Sequence, residues 1–108
     1  MNKDVLKAPE TGKMHYSFIL FVIENGTHSK HARENLERLC KKWLPGSYHI
    51  DEVDVVKNFQ TALDYNILLT PAVVITNPEP RMTIHGDLSD ARSFVEALHL
   101  DQEEKNDS

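Results

Sequence analysis

Apolar residues recur along this chain in stretches with two different periods. Tyr16 to Ile23 is apolar at almost every position, on both alternating faces, which predicts a central strand covered on both sides. From about Ser29 to Trp43, the residues Ala32, Leu36, Leu39, Cys40 and Trp43 form one stripe at helical spacing, and Pro45-Gly46 closes the helix. A second strand reads from Tyr48 to about Val56. Its Asp51, Glu52 and Asp54 interrupt the apolar pattern, as at a sheet edge. Asn58 is placed to cap a short second helix, about Phe59 to Tyr65, with Phe59, Ala62 and Leu63 turned inward. Ala72 to Thr76 is nearly all β-branched and predicts a third strand. Asn77-Pro78-Glu79-Pro80 turns the chain into a fourth, Met82 to His85. Gly86-Asp87-Leu88-Ser89 then leads into a third helix, with Ser89 as its cap and Ala91, Phe94, Val95 and Leu98 facing the core.

The element order is therefore β-α-β-α-β-β-α. A right-handed first crossover makes strands one and two parallel. The short Pro-rich link makes strands three and four an antiparallel hairpin. The predicted fold is α/β and thioredoxin-like, a mixed four-stranded sheet of order 2-1-3-4 with strand two exposed at one edge.

Composition narrows the function. The 108 residues suffice for one domain, and a net charge of −5 is the reverse of what a general nucleic-acid binder carries. Residues 1 to 14 lack periodicity and read as a flexible arm; residues 101 to 108 read as a disordered acidic tail. That leaves 15 to 100 as the folded domain. The polar start, Met1-Asn2-Lys3-Asp4, has no signal core, and the longest apolar run, Phe18 to Ile23, is too short for a bilayer. A cytoplasmic protein with no membrane partner is expected.

The candidate chemistry is sparse. A thioredoxin-like frame places a reactive turn after strand one, opposite a proline loop. Here that turn, Asn25-Gly26-Thr27-His28-Ser29, holds no cysteine, while Ile67-Leu68-Leu69-Thr70-Pro71 stands where the proline loop belongs. A cis bond before Pro71 would suit such a frame. Cys40, the single cysteine, lies on the apolar stripe of the first helix and is expected to be buried rather than nucleophilic. His28 and His31 have a spacing that can hold a metal, but no third ligand accompanies them, and solvated histidines are the better reading. Glu52 and Asp54 share a strand face and could serve as an acid-base pair, or simply guard an exposed edge, the favoured reading. No catalytic residue, metal or cofactor is expected.

Several segments together resemble the KaiB family: Asp54-Val55-Val56-Lys57-Asn58, Gln60, Ile67-Leu68, Thr70-Pro71, Pro78-Glu79-Pro80 and Gly86-Asp87-Leu88-Ser89. The resemblance spans about Tyr16 to Leu100. It implies a non-enzymatic protein-binding regulator that docks on a KaiC-type ATPase hexamer, in a circadian clock or a derived stress-response system. It also implies fold switching between a tetrameric ground-state fold, whose C-terminal half is rearranged, and a monomeric thioredoxin-like fold, which alone binds KaiC; a homo-oligomer, dimer or tetramer, is among the expected partners, beside a sensor histidine kinase. Pro71, Gly86 and Asp87 are the expected switch positions. The partner contact is implied to lie around the second helix, with Lys57, Asn58, Gln60, Thr61, Asp64 and Tyr65 as its residues and an exposed Tyr65 as the anchor. The edge of strand two is a further candidate surface. Phe59 stands where the family usually has proline.

Two alternatives remain beside this reading: a stand-alone sensor module acting on a histidine kinase in trans, and a thioredoxin-like redox protein, which the thiol-free turn disfavours. One physical expectation adds to the resemblance. Val73-Val74-Ile75-Thr76 would have to turn helical in the ground-state fold, at a cost of about 1–2 kcal/mol relative to Ala for the run. The chain is therefore expected to favour the thioredoxin-like state.

Overall fold

The structure, a computed structural model, describes residues 15–23 and 26–100. The arm and tail expected at 1–14 and 101–108, and Asn25 of the first turn, lie outside the described residues. The elements are β1 (Tyr16–Val22), α1 (Thr27–Trp43), β2 (Tyr48–Asp54), α2 (Phe59–Asp64), β3 (Ala72–Asn77), β4 (Met82–His85) and α3 (Ala91–Ala97). The strands form one mixed sheet of order β2-β1-β3-β4. β1 runs parallel to β2 and antiparallel to β3, and β3 is antiparallel to β4. This is the thioredoxin-like arrangement expected from the sequence, with β3 a strand through Val73-Val74-Ile75-Thr76.

Period-two alternation divides β1 between two layers. Phe18, Leu20 and Val22 join Val73, Ile75 and Ile84 under α1 and α3, where Ala32, Leu36, Leu39, Cys40, Phe94 and Leu98 meet them. Phe18 and Phe94 stack with ring centroids 5.9 Å apart, fixing α3 to the centre of the sheet. Phe21, Ala72 and Val74 face the other way, toward Ala62 and Ile67. That second layer is thin, because α2 has only six residues.

Three local details differ from the sequence reading. Asp90, not Ser89, caps α3: its carboxylate accepts from the Arg92 amide at 3.0 Å, while the Ser89 amide donates to Asp87 Oδ1 at 3.0 Å. The helix thus starts a residue later than expected, and Ala91 is exposed rather than inward. Asn58 occupies the cap position of α2, but its side chain accepts nothing there; its Nδ2 donates to the Asp54 carbonyl at 3.4 Å. The third difference bears on the site. Of Phe59, Ala62 and Leu63, only Ala62 is buried.

Candidate protein-docking site

The loop after β1 is closed by serine chemistry. Ser29 Oγ accepts from the Ile23 amide at 3.2 Å and donates to the Ile23 carbonyl at 2.7 Å. The Gly26 amide donates to the same carbonyl at 3.2 Å, and a Cβ on Gly26 would sit 3.3 Å from that oxygen. Where the fold can carry a thiolate at the start of its first helix, this chain carries a buried hydroxyl already committed to backbone. Cys40 is buried under α1, and burial pushes its thiol up to about 12, so thiolate is scarce at neutral pH.

Beside this turn a groove of about 980 Å³ opens between α1 and the end of β2. Glu52 and Asp54 both border it, and both are engaged. Arg33 grips Glu52 through two hydrogen bonds, Nε to Oε1 at 2.8 Å and an Nη to Oε2 at 2.5 Å. Those bonds hold the Glu52 carboxyl below its usual range; burial and the neighbouring Asp54 charge oppose them and do not win. A general base working near neutral pH needs its pKa moved the other way. Asp54 Oδ1 accepts from the Val56 amide at 2.8 Å and closes the turn into α2. His28 and His31 are exposed, and among the described residues no group of three His, Cys, Asp or Glu side chains is gathered as a metal site.

The chain between β2 and β3 presents a different surface. It leaves the sheet at Asp54, level with Val22, and returns at Ala72, level with Phe21, so the whole excursion sits at one end of the sheet. Val56, Phe59, Leu63, Leu68 and Leu69 project from it, from 46% exposed at Leu63 to 85% at Leu68. Phe59 and Leu63 are one turn apart on the same side of α2. The sheet-facing side of α2 holds Ala62, small enough to bring the helix backbone close to Phe21. Leu63 could not approach so closely, and Phe59 at the helix start turns away. Clustered apolar exposure of this kind marks an interaction surface more often than chance.

The residues implied by the family resemblance fall around this surface. Lys57, Asn58, Gln60 and Asp64 are exposed, with Gln60 Nε2 donating to Asp64 Oδ1 at 2.9 Å; Thr61 is half-buried. Tyr65 is not the exposed aromatic expected. It is half-buried, its ring 5.6 Å from Phe21 and covered by the Arg81 guanidinium at 4.7 Å. The α2 turn ends at Asp64, which swings Tyr65 back onto the sheet. Pro71, Gly86 and Asp87 are brought together. The Thr70–Pro71 bond is cis, the Gly86 amide donates to the Pro71 carbonyl at 2.9 Å, and the Asp87 carbonyl accepts from Asn35 Nδ2 at 2.8 Å. Gly86 has φ +99°, which favours glycine there.

The exposed Phe59 and Leu63 were missed because Phe-x-x-Ala-Leu spacing fits an inward stripe as well as an outward one. A signal was present in Val55-Val56 and Leu68-Leu69. Outside regular structure, two adjacent apolar side chains rarely both find the core, and here Val55 packs inward while Val56 does not.

Comparison with known proteins gives a consistent picture. The model of the KaiB domain family matches residues 19–99. The circadian clock oscillator protein KaiB of Microcystis aeruginosa is 35% identical over 100 residues, covering 89% of this chain and 96% of that protein. KaiB of Trichodesmium erythraeum is 35% identical over 95 residues, covering 88% and 91%. Among solved structures, the N-terminal domain of SasA from Synechococcus elongatus superposes with a TM-score of 0.68 at 22% identity, covering 82% of this chain and 87% of that one. Fasciola hepatica thioredoxin gives 0.62 at 18% identity, covering 87% and 90%. At those identities the two structures speak to the fold alone.

Proposed function

The chain belongs to the KaiB family of circadian clock proteins, and from that premise we propose that it is a non-enzymatic regulator that docks on a KaiC-type ATPase hexamer. It would act in the cytoplasm, in a clock or a clock-derived stress-response system. The observation that carries this reading is the apolar end of the sheet around α2: Val56, Phe59, Leu63, Leu68 and Leu69 are exposed together, in a chain whose fold-typical reactive turn is thiol-free.

In this reading Phe59 and Leu63 supply the desolvated centre of the contact, and Lys57, Asn58, Gln60 and Asp64 its polar rim. Thr61 and Tyr65 support the surface from beneath, Tyr65 by holding α2 against Phe21. Pro71, Gly86 and Asp87 tie the second half of the chain into the state that presents it.

Gel filtration with a KaiC homologue from the same source, once with ATP and once with ADP, tests the proposal. Co-elution with the hexamer in at least one nucleotide state is expected. Absence of co-elution with every such homologue, or capture of a sensor histidine kinase in its place, would overturn it.

A further inference from the structure

The face of the sheet under α2 is covered over only part of its length. β1 extends about 23 Å over its seven residues, while the six residues of α2 extend about 9 Å. Ala62 meets Phe21, Ala72 and Val74, so the helix sits toward the end where β1 finishes. Nearer the start of β1, Ser17, Ile19 and Thr76 on the same face are only half-buried. His15 stands at the foot of β1. Its carbonyl accepts from Asn77 Nδ2, and the Tyr16 amide beside it donates to the Ser47 carbonyl at 2.9 Å. The fourteen residues before His15 therefore set out from the open half of the sheet, with the exposed apolar side chains around α2 at its other end.

We infer that residues 1–14 fold back along this face as a strap, and that Val5 and Leu6 seat on the apolar surface around α2. Pattern and reach agree. Val5-Leu6 is the one pair of adjacent large apolar residues in the segment, and Thr11-Gly12 stands where the chain has to reverse direction, a place suited to glycine. From Gly12 back to Leu6 an extended chain reaches about 20 Å. Phe21, the level of Ala62, lies five residues beyond Tyr16, roughly 17 Å along the strand. Charge favours this segment over the other terminus. Lys3, Lys7 and Lys13 outnumber Asp4 and Glu10 on a chain of net charge −5, so the acidic body attracts the strap. The residues after Leu100 are acidic, hold no large apolar side chain, and follow a Leu100 that is buried in the opposite layer with α3. Two apolar side chains grip weakly. A tether this short supplies an effective concentration on the order of millimolar, enough to populate a weak contact without locking it. The strap needs no other protein, so its existence is independent of the docking proposed above; a partner that uses the same face must displace it.

Paramagnetic relaxation in amide NMR spectra of the full chain tests the inference. A nitroxide is attached to Asn2→Cys; Cys40 is buried, so native labelling goes to the new thiol. Amides of residues 56–69 should broaden. The broadening should disappear when Val5→Asp and Leu6→Asp are added, with the circular dichroism spectrum unchanged, because both positions precede the folded elements. Without the label, the same double change should shift the amides of 56–69 and leave those of α1 in place. Broadening confined to the residues next to His15 would overturn the strap. So would broadening concentrated on β2, which would mean pairing at the sheet edge, and so would broadening that survives the two Asp substitutions. A mixture of spin-labelled protein without ¹⁵N and unlabelled ¹⁵N protein separates the last case: broadening of 56–69 there would assign the contact to a second copy and overturn the intramolecular strap.

Discussion

At Arg33 and Glu52 the geometry and the exposure pull in opposite directions. The bidentate contact is well formed, yet both side chains are more than a third open to solvent, so the pair is worth a fraction of a kcal/mol to about 1 kcal/mol. Its pH dependence has a definite sign. The Glu52 carboxyl is lowered from 4.5, so its contribution is complete above that pH and is lost as pH falls through the folded value. Chemical denaturation of the wild type and Glu52→Gln should differ at pH 7 and converge toward pH 3; a gap that stays constant would show that the ion pair is not its source. Cys40 makes a second test at this scale. Buried and shifted to about 12, it should resist iodoacetamide in the native protein and react fully in denaturant. Rapid native labelling would contradict the packing under α1.

Beyond the β1–β3 ladder, Asn35 makes a side-chain contact between the two halves of the chain. Its bond to the Asp87 carbonyl ties α1 to the loop before α3. Asn35→Ala should cost about 0.5–1.5 kcal/mol and speed hydrogen exchange at 86–90 more than within α1. Equal acceleration everywhere would assign the bond no local role. Backbone chemical shifts over 72–77 should be those of a strand, as the β-branched run favours; helical shifts there would place the resting chain in the other family fold. The long elements were legible because repetition averages out single-residue ambiguity: β1 is apolar on both faces, and α1 repeats its stripe through four turns. α2 was legible as a helix but not in its orientation. In six residues one small side chain, Ala62, decides which side meets the sheet, and that depends on Phe21 and Ala72, which come from other strands. The cap of α3 was misplaced by one residue for a similar reason. Asp87, Ser89 and Asp90 can each start a helix, and the choice follows from Leu88 being buried at φ +65°.

Over the whole molecule, burial and exposure are divided unevenly. The face under α1 and α3 is a thick core, while the opposite face is covered by one short helix whose outer surface is itself apolar. A redox protein of this fold would work through a thiolate at the first turn; here that turn is closed by Ser29, and the apolar end beside it is left open. The family could be read from scattered landmarks such as Thr70-Pro71 and Gly86-Asp87-Leu88-Ser89, since each marks a turn that the fold needs. The outward turn of Phe59 and Leu63 could not be read so directly, because exposure is a property of the assembled sheet. The most direct measurement is a calorimetric titration of a KaiC-type hexamer with the wild-type chain and with Phe59→Asp/Leu63→Asp, both shown folded by circular dichroism. The wild type should bind and the double variant should lose at least about 2 kcal/mol, roughly thirtyfold in Kd, as removal of a buried hot spot does. Equal affinity of the two proteins would contradict the claim that this surface carries recognition.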